Sequence, residues 1–184
     1  SVWLAERFDG SLRREFALKL PWSLPPEGGF AERFARERDI LARLRHPHIA
    51  RLYDAGVDPG GQPFLALDHI EGQAITTWCD ESALSIDARL DLFGQVLDAV
   101  QYAHANLVMH RDLKPANILI DAQGRASLLD FGIAKLLDPS GSETPETELT
   151  AAGGRLLTMH YASPEQLRGD PLTIATDIYS LGVV

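Results

Sequence analysis

A single cysteine, Cys79, among 184 residues rules out a disulfide framework and suits a reducing, cytoplasmic setting. Long apolar runs are also missing, so no segment of this stretch is expected to cross a bilayer. The opening Ser1-Val-Trp-Leu-Ala-Glu-Arg7 is not built like a signal peptide. Basic residues are few: 17 Lys and Arg face 26 Asp and Glu, for a net charge of -9. That balance argues against nucleic acid as a partner, because phosphate backbones are met by clustered cations. There are no internal repeats. Polar, frayed termini are lacking too. The chain opens on a strand-like stretch and closes on Ile178-Tyr-Ser-Leu-Gly-Val-Val184, which reads as the middle of a buried helix, so both ends read as truncations. The remaining composition is ordinary, with 45% apolar and 23% charged residues. A chain of this length can bury a real core as one large domain or two small lobes.

Pattern along the chain divides it in two. Val2–Ala5 and Glu15–Leu20 are predicted strands joined by a turn at Asp9-Gly10-Ser11. Pro21–Gly29 reads as a loop. A helix follows, with Phe30, Phe34, Ile40, Leu41 and Leu44 on one face and Pro47 as its stop. Ile49–Tyr53 and Pro63–Asp68 are predicted strands on either side of the turn Asp58-Pro-Gly-Gly61. After Gly72 the pattern turns helical. Ser85 is placed to cap a helix whose buried stripe is Ile86, Leu90, Phe93, Leu97, Val100 and His104. Ile118–Ile120 and Ala126–Leu129 flank a turn at Asp121-Ala-Gln-Gly124. Asp138–Gly154, rich in Ser, Thr, Pro, Gly and Glu, reads as a long surface loop. The expected fold class is α+β in two lobes, 1–70 with a small antiparallel sheet and one helix, 71–184 mostly helical.

The strongest local signal is His110-Arg-Asp-Leu-Lys-Pro-Ala-Asn117 followed by Asp130-Phe-Gly132. Asn117 and Asp130 are equally far from the point between Gln123 and Gly124. If the flanking runs pair as a hairpin, both oxygen ligands meet at its open end, with Asp112 on an irregular loop beside them. Two carboxylates and an amide oxygen converging there suit a hard cation such as Mg²⁺. Lone loop Asp residues usually just cap turns, but the whole string matches a mechanistically defined set. His46 and His48 lack further ligands at metal spacing.

These residues resemble those of eukaryotic-type protein kinases, and Tyr161-Ala-Ser-Pro-Glu-Gln166 is most similar to the bacterial serine/threonine kinases. The resemblance runs through essentially the whole chain and implies a bilobal kinase fold using ATP with Mg²⁺ or Mn²⁺. It implies that Asp112 is the catalytic base, that Lys114 steadies the transferred phosphoryl group, and that Asn117 and Asp130 hold metal. Phe16-Ala-Leu-Lys19 resembles the family's Val-Ala-Ile-Lys, which makes Lys19 the cation for the nucleotide phosphates. Counting back from His46-Pro47 makes Glu37 the acid paired with Lys19, ahead of Glu32. By the same resemblance Val2 and Ala17 roof the adenine pocket and Leu119 floors it. Leu67 guards its back, and Asp68, His69 and Ile70 form the connecting hinge. His110 is expected to be structural, Glu165 to sit in the motif Ser163-Pro164-Glu165, and Asp177 to be the buried acid that ties its helix to the catalytic segment.

Substrates implied are proteins offering Ser or Thr, an acceptor choice favoured by Lys114 and Thr158. Arg111 beside Asp112, with Lys135 nearby, calls for a dianion, so Thr150 and then Thr147 are the expected phosphorylation sites. A dimer for autophosphorylation is compatible with this. The phosphate-covering glycines and the later helices of the large lobe are not in the sequence, so weak turnover or none is expected of these 184 residues alone. A pseudokinase scaffold and a small-molecule phosphotransferase remain as alternatives, disfavoured by the full catalytic set and by the long loop respectively.

Overall fold

A computed structural model describes residues 1–7, 14–20, 38–131 and 160–184. Four strands, β1 (Val2–Arg7), β2 (Arg14–Lys19), β3 (Leu52–Val57) and β4 (Pro63–Asp68), form an antiparallel sheet in the order β1-β2-β4-β3. The β3–β4 turn is locked by Asp58, whose Oδ1 accepts from the backbone N–H of Gly60 and of Gln62, each at 2.8 Å. Gly61 takes φ +84°, a left-handed conformation that glycine reaches without steric cost. The third strand is shifted from its expected span, Ile49–Tyr53. Pairing fixed by that turn sets Val57 opposite Pro63 and Leu52 opposite Leu67, with an irregularity between Leu52 and Asp54. Ile49 instead bridges to Leu128 in the second sheet.

That second sheet contains β5 (Gly72–Ala74), β6 (Ile118–Asp121) and β7 (Ala126–Leu128), in that order. Around it lie α1 (Ile75–Glu81), α2 (Ile86–Ala105), a 3₁₀ turn at Pro115–Asn117, α3 (Pro164–Arg168) and α4 (Ile174–Leu181). Ser85 caps α2 as expected, its hydroxyl accepting from the Ala88 N–H. The buried stripe of α2 only partly matches the expected one: Val100 is buried and Phe93 packs against the core. Leu92, Val96, Ala99, Val100 and Ala103 face the core, while Ile86 is 75% and Leu90 59% exposed. Both stripes keep helical spacing, and the small residues Ala99 and Ala103 let α2 approach its neighbours closely, which apolarity alone does not reveal.

Leu41 and Leu44 are buried as expected, but Ile40 is exposed, because helix ends at Leu41 and the chain turns away before Pro47. Among the described residues one apolar cluster joins the two sheets, with Leu65, Ile118, Ile120 and Leu128 almost fully buried. Each such side chain contributes about 1.5–3 kcal/mol. Main-chain bonds from Ala50 N–H to Leu128 O (2.9 Å) and from Leu128 N–H to His48 O (2.8 Å) stitch the halves together. The expectations at Asp9-Gly10-Ser11, Pro21–Gly29, Phe30, Phe34 and Asp138–Gly154 lie outside the described residues.

Candidate active site

The site is built on the β6–β7 hairpin. Asp121 Oδ1 accepts from the N–H of Gln123 (2.9 Å) and of Arg125 (3.0 Å), and Gly124 sits at φ +74°. This makes a three-residue loop centred on Gln123, so the register differs by half a residue from the symmetric turn expected. Asn117 consequently lies opposite Leu129, whose N–H donates to Asn117 O at 2.8 Å, and Asp130 is one step beyond. Asp130 takes φ +61°, a left-handed conformation that Asp tolerates better than most residues.

Three ionic or polar contacts gather the expected side chains. Lys19 Nζ, from β2 in the first sheet, donates to Asp130 Oδ2 at 2.7 Å across the gap between the sheets. Lys114 Nζ lies 2.7 Å from Asp112 Oδ2. Asn117 Nδ2 donates to Asp112 O (2.7 Å) and Asp112 Oδ2 (3.0 Å). Two acceptors on one side fix the Asn117 amide, whose Oδ1 is therefore the atom that can take a cation. The expected Lys19–Glu37 pair falls on Glu37, outside the described residues, as do Lys135, Thr147, Thr150 and Thr158.

Beneath these groups lies a buried scaffold. His110 is fully buried, and its Nδ1 accepts from the Asp112 N–H at 3.2 Å while Nε2 donates to Leu129 O at 2.8 Å. Burial lowers its pKa, with Asp177 the main opposing influence; a neutral ring bonded on both nitrogens is a support, as expected, and not a proton shuttle. Asp177, 1% exposed, accepts from the His110 N–H through Oδ2 and from the Arg111 N–H through Oδ1, each at 2.8 Å. Arg111 has φ +72°, and its carbonyl accepts from Gln166 Nε2 at 2.7 Å. Bonds on both sides of the residue hold that conformation in place.

Sequence reasoning missed two members of this scaffold. His104, assigned to an apolar stripe, places Nε2 2.8 Å from Asp177 Oδ2. Gln166 closes a capping box with Ser163 at the start of α3 and reaches Arg111 from there. A histidine at a core-facing helical position was the available signal for the first. Glu165 accepts from the Thr176 hydroxyl at 2.7 Å, and that bond lowers its pKa.

The expected pocket lining falls into two walls. Val2 is opposite Lys19 and Ala17 opposite Leu67, so these side chains share one face of the first sheet. Leu119 alternates with the fully buried Ile118 and Ile120 and, like Asp121, is partly exposed. Asp68, His69 and Ile70, all partly exposed, connect the two sheets.

The family model described as "Protein kinase domain" matches residues 12–184. Serine/threonine-protein kinase PrkC of Bacillus subtilis (strain 168) is 36% identical over 186 residues, covering 100% of this chain and 27% of PrkC. PknB of Mycobacterium tuberculosis (strain ATCC 25618 / H37Rv) is 33% identical over 181 residues, covering 96% of this chain and 28% of PknB. PknA of Mycobacterium tuberculosis (strain ATCC 25177 / H37Ra) is 37% identical over 191 residues, covering 100% of this chain and 42% of PknA. The chain therefore spans about a quarter to two fifths of the length of these relatives. The chain belongs to the protein kinase domain family, and its strand-rich and helical halves are the two lobes of that α+β fold.

Proposed function

We propose that the chain is the ATP-dependent catalytic part of a protein serine/threonine kinase, split into a lobe at 1–70 and a lobe at 71–184. The observation that carries this is the meeting of Lys19, Asp112, Lys114, Asn117 and Asp130 at one end of the β6–β7 hairpin. In this reading Asp112 accepts the proton of a Ser or Thr hydroxyl, its carboxylate aimed by Asn117 Nδ2 and flanked by the Lys114 ammonium. Lys114 then faces the phosphoryl group in transfer, and Lys19 the remaining phosphates. Asp130 and Asn117 Oδ1, both hard oxygen donors, are the residues that fit Mg²⁺ or Mn²⁺. The bound metal would offset charge on the phosphates. Val2, Ala17, Leu67 and Leu119 would enclose the adenine, with main-chain groups of Asp68 and Ile70 bonding to it.

Protein substrates, a cytoplasmic setting and a dimer for autophosphorylation belong to the same proposal. So does control by phosphate on Thr150 or Thr147 held by Arg111 and Lys135. In its favour, the Arg111 guanidinium has no ion-pair partner among the described residues. The test is Asp130→Asn in the full-length protein, assayed for phosphate transfer from labelled ATP to a protein acceptor. Loss of one metal ligand is expected to cost about a thousandfold or more in rate. Near-normal transfer with Mg²⁺ would remove Asp130 from its role, and absence of transfer by the unaltered protein would remove the kinase reading itself.

A further inference from the structure

The outer face of the first sheet, turned away from the cleft, carries a polar cluster that the kinase reading leaves unused. Its members come from three strands or strand ends: Arg14 of β2, Arg51 and Tyr53 at β3, and Asp68 at the end of β4. Asp68 is bound to Arg51 twice. Its N–H donates to Arg51 O at 3.0 Å, and its Oδ2 accepts from the Arg51 N–H at 3.0 Å. Its Oδ1 lies 3.3 Å from Arg14 Nη2.

Tyr53 organises the cations. The Arg14 guanidinium carbon is 4.0 Å and that of Arg51 4.8 Å from the Tyr53 ring centroid, and Phe16 meets the ring edge-on at 5.3 Å. Arg14 also donates to the Tyr53 hydroxyl. Arg51 Nε is buried without a hydrogen-bond partner among the described residues, and its guanidinium lies against the Tyr53 ring face. Burial and the Asp68 carboxylate both raise the pKa of Tyr53, as expected for a phenol beside a fixed anion.

The position of the cluster gives it a consequence. Asp68 is the last residue of β4, paired with Phe16, and the chain then leaves the sheet for the second lobe. One residue on, His69 Nδ1 is 3.3 Å from Glu15 Oε2, so adjacent β2 residues hold adjacent residues of the crossing. Slack at Asp68 would reach residues 69 and 70 directly, because only backbone torsions lie between them.

We propose that Asp68 is a positioning residue for the nucleotide. Its carboxylate clamps the end of β4 to β3 and to Arg14, and thereby fixes the main chain of residues 68–70 against which adenine is bound. The inference rests on the kinase reading and adds to it a role for a side chain that never touches the ligand. Arg14 and Tyr53 belong to the same clamp.

The test is steady-state kinetics and ATP binding in the full-length protein carrying Asp68→Ala, Asp68→Asn or Arg14→Gln. Hydrogen bonds to a charged group set the expected scale, so Asp68→Ala should raise KM and Kd for ATP about tenfold. Asp68→Asn keeps an acceptor for the Arg51 N–H and should recover part of that, leaving a rise of about threefold. Arg14→Gln, on a side chain 54% exposed, should fold whatever happens to Asp68→Ala; the expected rise is about twofold. In each, the loss in kcat/KM should fall mainly on KM for ATP, with KM for the protein acceptor unmoved. Unchanged ATP affinity in Asp68→Asn and Arg14→Gln, or a loss confined to kcat and melting temperature, would overturn the inference and leave the kinase reading standing. If the unaltered protein fails to bind ATP, both are overturned together.

Discussion

Asp177 and Asp130 are both acids of the same site, yet their surroundings differ in kind. Asp177 is 1% exposed and accepts from two backbone N–H groups and a histidine ring. Asp130 has a side chain 26% exposed and meets the single ammonium of Lys19, itself 24% exposed. Main-chain partners cannot be exchanged without unfolding, whereas an ion pair at a cleft rim can give way to a ligand of the same charge. The comparison separates residues that fix the His110–Arg111 backbone from residues that, on the proposed function, are left available to phosphate and metal. It predicts that damage at the first group appears as lost stability and damage at the second as lost turnover.

The largest stability effect should follow Asp177→Ala. It strands the buried N–H of His110 and the part-buried N–H of Arg111 and releases the left-handed Arg111. Leaving buried donors unpaired sets an expected loss of about 3–5 kcal/mol in chemical denaturation. Asp177→Asn, which keeps one acceptor oxygen for one of the two N–H groups and sets an NH2 against the other, should lose roughly half as much. A loss below about 1 kcal/mol for the alanine variant would erase the distinction between the two acids.

A smaller effect should appear on acidification through His110. Burial holds the folded-state pKa below the ordinary 6.5, against raising influences from Asp177, the Leu129 carbonyl, Asp112 and Asp130. The unfolded chain therefore takes up this proton first. The contribution is complete above the unfolded pKa and is lost as pH falls below it, at up to about 1.4 kcal/mol per pH unit. Denaturation of the unaltered protein and of His110→Asn between about pH 7 and pH 5 isolates it, since other groups titrate in both. The stability gap between the two should narrow toward the acid end; a gap independent of pH would show that His110 charges without cost.

Chemistry was more legible in the sequence than packing. Asp112 meets Lys114 and Asn117, and Lys19 meets Asp130; on the proposed function their types and order follow from what they would bind, and type and order are what a sequence records. The half-residue register of β6–β7 was hidden because Asp121 bonds two residues of the turn and lengthens it, a side-chain effect on pairing. The stripe of α2 was misassigned because Ile86, Leu90 and Leu97 repeat with the same period as the true core face. In that contest Ala99 and Ala103, which apolarity scales rank low, mark the side of close approach. His104 and Gln166 were missed for another reason. Each acts on a residue more than fifty positions away, so a core-facing histidine could flag His104 as unusual but no local pattern names the partner of either.

The smallest stability effect, and the sharpest contrast, should come from Lys19 and Asp130. At 2.7 Å the pair is short, but both side chains are about a quarter exposed, and solvent screens such pairs to about 1 kcal/mol or less. Each partner also pays rotamer entropy to hold one geometry. Lys19→Met keeps the apolar stem that lies along the sheet, so the substitution removes charge with little loss of packing. A double-mutant cycle of Lys19→Met with Asp130→Asn, read by chemical denaturation, should therefore give a coupling below about 1 kcal/mol that shrinks further in salt. In phosphate transfer, on the proposed function, Lys19→Met should fall by about a hundredfold or more and Asp130→Asn by about a thousandfold or more, because the charges would act on phosphate and metal and not on the fold. A coupling above about 2 kcal/mol, insensitive to salt, would mean that this pair is structural. The rim would then be held as rigidly as the scaffold around Asp177, and a ligand would have to break that bond before it could bind.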